Sequence, residues 1–335
     1  MVKRLWLLVA ATLLFIALCQ PFLQARPTLY QTEKRAALAL AEQAQALLGL
    51  RISGPEYSWI TTTLAPPEAK RLSRHPDFAA VAVGWLKQAG AGPGSRVAVN
   101  VSGSFPALNI AVLAAIEAVG AQPVITSSVG ASTWGATDPE FTWLDMEREL
   151  NAAGLWSWRT VAASLGGVGD AGGGLTPEGK ELAHSAIRRS GADLIAAADL
   201  QGAIGRRLQL YRGEANELPP LLVNVGGSHV LFGEAGHRAP LPQGLNRGYH
   251  PLLGAQDGLA AAFLQTNRPV IHFINVRQLA AQYGISENTP PGTSGAFVSR
   301  QPPPVLRVLA GCWLAGVFWL LWRGNKAGFS SATVK

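Results

Sequence analysis

Apolar positions along the middle of this chain follow two periods, and the two alternate. Arg96–Val101 (RVAVNV), Pro123–Thr126, Val161–Leu165, Leu194–Ala198, Leu221–Val225 and Val270–Ile274 (VIHFI) are short apolar runs that read as strands. Longer runs lie between them, opened by Pro, Asp or Thr and mostly closed by Gly, the punctuation of helices. They are His75-Pro76-Asp77 to Gly90, Pro106–Val119 before Gly120, Asp138-Pro139-Glu140 to Gly154, Thr176-Pro177-Glu178 to Gly191, Asp199 to Tyr211, Asp257–Gln265 and Val276–Tyr283. Pro66-Pro67-Glu68 opens another short helix. Pro106–Val119 is apolar nearly all round, so it predicts a buried helix between two strands, a βαβ unit and hence a parallel sheet. About five strands alternating with helices predict an α/β fold: a doubly wound, mostly parallel, Rossmann-like sheet. Ahead of it, Thr32–Leu48 is rich in Ala and Leu, with Gly49 as a stop, and predicts a lead-in helix.

The two ends break the alternation. Leu5–Leu23 and Val305–Trp322 are apolar runs, the second interrupted only by Arg307. Both reach the length of roughly 17–25 residues that crosses a bilayer. Lys3-Arg4 precede the first run, and Arg323 and Lys326 follow the second, so the positive-inside rule puts both termini in the cytoplasm and the middle outside it. A cleaved leader is the alternative for the first run. However, Leu23-Gln24-Ala25 has Leu where a small residue belongs, and Leu18 precedes Cys19 where a lipoprotein cysteine needs a small neighbour. The expected layout is a membrane anchor over 1–24, a helical lead-in over 25–60, the α/β domain over 61–285, a Pro-rich stalk over 286–304, a second membrane helix over 305–323 and a cytoplasmic tail over 324–335.

Charge changes the picture less than its sum suggests. The chain of 335 residues has a net charge of +7. Yet residues 25–304 hold 22 basic and 21 acidic side chains, a balance of +1. The excess sits beside the apolar ends, so a nucleic-acid partner is excluded and membrane lipid is expected. With 48% apolar and 15% charged residues the chain is not disordered. The two cysteines, Cys19 and Cys312, both fall in the apolar ends and cannot make a disulfide framework or a four-cysteine zinc site. The six histidines, at 75, 184, 229, 237, 250 and 272, show no metal-ligand spacing, so neither a metal nor a cofactor is expected.

In a doubly wound fold, ligands bind outside the carboxyl ends of the strands. Three loops there have unusual composition. Ser102-Gly103-Ser104-Phe105-Pro106 offers a Gly for close backbone approach, hydroxyl donors and a helix start whose N–H groups attract carboxylate or phosphate. Its plain alternative is a tight turn with Ser104 as a helix cap. It is not a Gly-x-Ser-x-Gly elbow, and no phosphate loop or dinucleotide glycine fingerprint is present. Ser127-Ser128 through Trp134 to Asp138 is an uncharged, hydroxyl-rich loop, long for its place, which suits an amide- or sugar-like ligand or is an ordered surface loop capped by Asp138. Asn224-Val225-Gly226-Gly227-Ser228-His229 is a Gly-Gly turn after a strong strand. The ligand-binding candidates are Ser102, Gly103, Ser104, Ser127, Ser128, Trp134, Asp138, Asn224, Gly226 and Gly227. Those for catalysis are Ser104, Ser102 and His229. The acidic group Asp138, Glu140, Asp145 and Glu147 reads as a helix start with a solvated face, and Arg188-Arg189 and Arg206-Arg207 read as solvated faces.

Two of these loops carry a resemblance. Ser102-Gly-Ser-Phe-Pro-Ala-Leu-Asn109 and Thr126-Ser-Ser-Val-Gly-Ala-Ser-Thr-Trp-Gly-Ala-Thr-Asp-Pro-Glu-Phe-Thr-Trp-Leu-Asp-Met146 are similar to the family of poly-gamma-glutamate system proteins. His75-Pro-Asp-Phe, Val161-Ala-Ala-Ser-Leu-Gly-Gly167, Gly174-Leu-Thr-Pro-Glu-Gly179 and Val223-Asn-Val-Gly-Gly227 agree with it, so the likeness spans about residues 60–275. The resemblance implies work beside the membrane and ligase subunits of a poly-γ-glutamate synthase, with the anionic γ-glutamyl polymer as a further partner. It brings no catalytic residues.

Two functions then fit. The first is a membrane-anchored accessory protein whose outer domain binds the polymer or organises the synthase. The near-neutral domain suits a polyanion less well than a basic one. The second is a serine-dependent amidase or transferase acting on the γ-glutamyl polymer, with Ser104 or Ser102 as nucleophile and His229 as base.

Overall fold

The short apolar runs lie side by side in one sheet, and the longer runs cover both of its faces as helices. The computed structural model describes residues 2–19, 26–234, 241–248, 258–299 and 304–329. In chain order these form α1 (Val2–Cys19), β1 (Arg26–Pro27), α2 (Gln31–Leu48), β2 (Thr61–Thr63), α3 (Pro67–Ser73), α4 (Asp77–Gln88), β3 (Arg96–Ser102), α5 (Pro106–Val119), β4 (Gln122–Ser128), β5 (Ala131–Ser132), α6 (Trp143–Ala152), β6 (Thr160–Ser164), β7 (Gly166–Gly167), β8 (Ala171–Gly173), α7 (Pro177–Ser190), β9 (Asp193–Leu194), α8 (Leu200–Arg212), β10 (Leu222–Val225), α9 (His229–Phe232), β11 (Gly244–Asn246), α10 (Leu259–Leu264), β12 (Val270–Phe273), α11 (Val276–Tyr283), β13 (Val298–Ser299) and α12 (Pro304–Phe329).

The main sheet has seven strands in the order β11-β12-β10-β3-β4-β6-β9. All neighbours are parallel except β11, which is antiparallel to β12. The architecture is therefore mixed α/β with a mostly parallel sheet, compatible with a Rossmann-like fold. The chain begins in the middle at β3 and steps outward through β4, β6 and β9. It then returns to the other side of β3 with β10 and β12. That reversal puts the topological switch point between β3 and β10, the place where ligands bind in folds of this kind.

The faces are filled by different helices. Val97, Val99 and Val101 of β3 are buried on the side of α5, whose residues from Pro106 to Ile116 are all buried. Helices α2 and α4 pack on α5, and Trp85 of α4 lies 4.9 Å from the Phe273 ring. The opposite face holds a core of Ala98, Leu222 and Val270 from the strands, Ile204 and Tyr211 from α8, Leu231 from α9 and Phe263 from α10.

Most boundaries match the sequence reading, and the exceptions have local causes. Helix α6 starts at Trp143, not at Asp138. Thr142 and Asp145 form a reciprocal capping box there, while Asp138 Oδ1 accepts the Glu140 N–H at 2.9 Å and closes a turn. Of the acidic group, Glu140 is exposed as expected, but Asp145 and Glu147 are not on a solvated face. Asp145 is buried and accepts Arg189 Nη2 at 2.7 Å. Glu147 is buried and accepts the Thr160 N–H at 2.6 Å, and burial pushes its carboxyl up to about 7. Of the expected strand Leu194–Ala198 only Leu194 pairs, together with Asp193 before it. The antiparallel edge β11 was not foreseen. Asp257, the expected start of α10, lies outside the described residues, as do His237 and His250.

The chain divides into two compact units, Leu29–Phe297 and the terminal pieces Met1–Thr28 with Val298–Lys335. The first part of the expected stalk belongs to the α/β unit. Asp77 Oδ1 and Oδ2 accept the N–H groups of Gly292 and Ser294, and Lys34 Nζ donates to Ala296 O at 2.7 Å. In the terminal unit, β1 pairs antiparallel with β13, and Phe15 of α1 stacks on Trp313 of α12 at 5.0 Å. Each apolar end is thus helical. Among the described residues, however, no helix is long and apolar enough to cross a membrane, so the expectation of two membrane helices is unsupported by the helices themselves. Helix α1, Val2–Cys19, has 18 residues and includes Lys3 and Arg4; residues 20–23 of the expected span lie outside the described residues.

Candidate functional site

Loops after β10, β3 and β4 must meet at the carboxyl edge, because the strands are parallel neighbours. The structure brings them together. A Cβ built on Gly226 would lie 2.7 Å from Ser102 Oγ, and Gly226 has φ 98°, so only glycine serves both the turn and the approach. Gly103 N donates to Ser128 O at 3.0 Å, and Ala136 N donates to Gly103 O at 2.7 Å. Ser104 Oγ accepts the Ser132 N–H at 3.1 Å. Ser104 is therefore not a helix cap: Phe105 holds the cap position of α5 without a side-chain bond. Gly103 also serves another purpose than ligand access. A Cβ there would meet Val129 O at 2.8 Å and the Ala131 Cβ at 3.1 Å, so it keeps two loops in contact.

Lys70 of α3 ties this knot from below. Its Nζ donates to Ser132 Oγ at 2.6 Å and to the carbonyl oxygen of Ser104, and it lies 4.1 Å from the centre of the Phe105 ring. Burial brings its amine down to about 7. Lys70 and Ser132 are both buried.

Beneath the crevice one row of polar side chains crosses the sheet. Thr126, Asn100, Asn224 and His272 are in register on β4, β3, β10 and β12. Asn100 Nδ2 donates to Asn224 Oδ1 at 2.7 Å and to Ser228 Oγ at 3.0 Å. Asn224 Nδ2 donates to Gly226 O at 2.7 Å and to His272 Nδ1 at 3.1 Å. This leaves His272 Nε2, buried and without a partner, as the protonated nitrogen. Burial brings His272 down to about 4, so it stays neutral. At the other end, Arg207 Nε donates to Asn100 Oδ1 at 3.2 Å, while Nη1 donates to Asp170 Oδ2 at 2.6 Å and Nη2 to Ser164 Oγ at 2.9 Å. Arg207 is fully buried, which corrects the reading of Arg206-Arg207 as a solvated face. A charge in such a place is held by its partners and is not free to meet a polyanion.

The predicted residues separate into three groups. Ser102, Gly103, Ser104, Ser128, Gly226 and Gly227 sit at the carboxyl edge, with Asn224 buried just below. Ser127 is on the α5 face, where its Oγ shares a hydrogen with Thr160 Oγ1 at 2.6 Å. Trp134 is half-buried at φ 62°, and Asp138 bonds within its own turn. His229 is not bonded to Ser104; its Nδ1 accepts the Gly169 N–H at 3.4 Å. That contact brings a fourth loop, Gly166–Gly174 after β6, to the crevice. Sequence reasoning also missed Lys70, Asn100, Asp170, Arg207 and His272. Arg207 carried a signal: it falls four residues from both Ala203 and Tyr211, on the buried stripe of α8. Among the described residues no group of His, Cys, Asp and Glu could hold a metal ion.

No protein-family model matches the chain, and neither the curated proteins nor the solved structures include a match to it.

Proposed function

We propose that the chain is a membrane-associated accessory protein of poly-γ-glutamate synthesis or export, and that its α/β unit binds the γ-glutamyl polymer or organises the synthase subunits. One observation carries the binding part. At the switch point, Ser102 and the half-buried Ser228 lie over the neutral Asn100–Asn224–His272 row, beside the exposed backbone of Gly227. Such a crevice offers hydroxyl and amide donors without a strong field, which suits the amide and carboxylate groups of one repeating unit better than a long polyanion. The identity of the polymer rests on the resemblance at Ser102–Asn109 and Thr126–Met146. Membrane association draws on the terminal helices, which expose Trp6, Leu13, Leu14, Leu314 and Phe318. Both termini in the cytoplasm and the α/β unit outside it remain part of this proposal, on the flanking positive charges.

The amidase or transferase reading keeps one supporting contact, but on different residues. The amine of Lys70 lies 2.6 Å from Ser132 Oγ, within reach of a loop hydroxyl. Deleting the gene in its host and measuring polymer amount and chain length separates the readings. The accessory role predicts less polymer of unchanged composition, fully restored by Lys70→Met if that variant folds. An enzyme predicts altered chain length that Lys70→Met fails to restore.

A further inference from the structure

On the far side of β4 from the switch point, a cavity of about 230 Å³ opens at the carboxyl ends of β6 and β9. Leu165, Leu194 and Ile195 make apolar walls, and Ala203 of α8 adds to them. That space admits a small molecule.

Besides His184 of α7, two polar features line it, from different strand ends. One is Asp170, nearly buried and held at φ 64°. The left-handed conformation favours glycine, and six glycines lie within Gly166–Gly174, yet this position is an aspartate. Arg207 and Ser164 hold its carboxylate, through Arg207 Nη1 at 2.6 Å and Ser164 Oγ at 2.8 Å, so it borders the cavity as a fixed, charge-balanced acceptor. A buried pair of this kind is not needed for stability, since an apolar pair of similar volume often serves as well. The other feature is the backbone of Ala196 and Ala197. Ile195 N donates to Ala163 O at 2.8 Å, where the ladder ends. Among the described residues, the N–H groups of Ala196 and Ala197 carry no hydrogen bond.

An acceptor, a pair of amide donors and apolar walls are what a small zwitterion needs. We propose that this cavity binds a free α-amino acid with a short aliphatic side chain. The ammonium donates to Asp170, the carboxylate accepts from the Ala196 and Ala197 N–H groups, and the side chain lies against Leu165 and Ile195. This site is separate from the polymer reading and does not depend on it.

The test is calorimetric titration of the purified full-length chain with L-valine, isobutylamine and isobutyrate. Saturable binding of L-valine is expected, with each single-charge analogue at least about tenfold weaker. Asp170→Asn is expected to weaken L-valine about tenfold or more. Because that change also leaves Arg207 without its counter-charge, Ala196→Pro provides the second test. It removes one donor on an exposed loop, leaves the ion pair intact, and is expected to weaken L-valine by about tenfold with the melting temperature unchanged. No binding of L-valine to the wild type, equal binding of the analogues, or unchanged affinity in a folded Ala196→Pro variant overturns the proposal.

Discussion

On the α5 side of the sheet, Val97, Val99 and Val101 meet a helix buried almost all round, and the contact is apolar. On the α8 side, the same strand carries Asn100, which joins a polar row from Thr126 to His272 and, through Arg207, reaches Asp170. The first face is held by area removed from water, which is non-directional and tolerates changes that keep volume. The second depends on partners in fixed places, because each buried polar group left alone costs about 1–3 kcal/mol. The difference separates scaffold from site. The directional face is the one that lies under Ser228 and the crevice.

The sharpest way to break this comparison is to remove a charge from the polar face. Arg207→Met leaves Asp170 buried without its partner and is expected to lower stability by about 3–5 kcal/mol. Arg207→Met with Asp170→Asn, which removes the unpaired charge and keeps a residue that tolerates φ 64°, is expected to recover much of that loss. Urea unfolding of both variants measures it, and equal losses in the single and double variants would show that the pair is not the cause.

A smaller effect depends on pH. Folded His272 takes a proton only near pH 4, whereas the unfolded side chain takes one near 6.5. Its contribution is therefore fully present above pH 6.5 and is lost as the pH falls from 6.5 toward 4, by roughly 3 kcal/mol at most. Glu147 acts in the opposite direction. Its raised carboxyl disfavours the fold as pH rises from its ordinary 4.5 through about 7. His272→Leu should remove the first trend and keep the second. Melting curves between pH 4 and 7 for both proteins show whether it does.

The smallest change concerns the loops. Gly103→Val is expected to destabilise by about 1–3 kcal/mol, because the new side chain meets Val129 O. A thermal melt unchanged by this substitution would mean that the loop moves aside and Gly103 is there for a ligand after all.

What was legible in the sequence follows from how local each signal is. Pro, Thr, Asp and Gly mark helix ends within one turn, so α4, α5, α7, α8 and α11 could be placed closely. Thr142–Asp145 is an equally local signal, but the Pro139 start competed with it. The convergence of the loops followed from strand direction alone. The polar row did not, because Asn100, Asn224 and His272 each look like one polar residue in an apolar strand. Only the register of β3, β10 and β12 joins them. Lys70 lies 62 residues from Ser132 in sequence, and nothing in either stretch announces the pair.

The central claim is that the crevice between β3 and β10 is a binding site and not only a well-packed edge. Binding of a γ-glutamyl oligomer to the full-length chain tests it directly, compared with Ser102→Ala, which leaves the Asn100–Ser228 bond in place, with melting temperatures measured alongside. The account predicts a loss of affinity of about tenfold, the worth of one hydrogen bond, with little change in melting. Unchanged affinity, or a loss that only follows a fall in melting temperature, would contradict it.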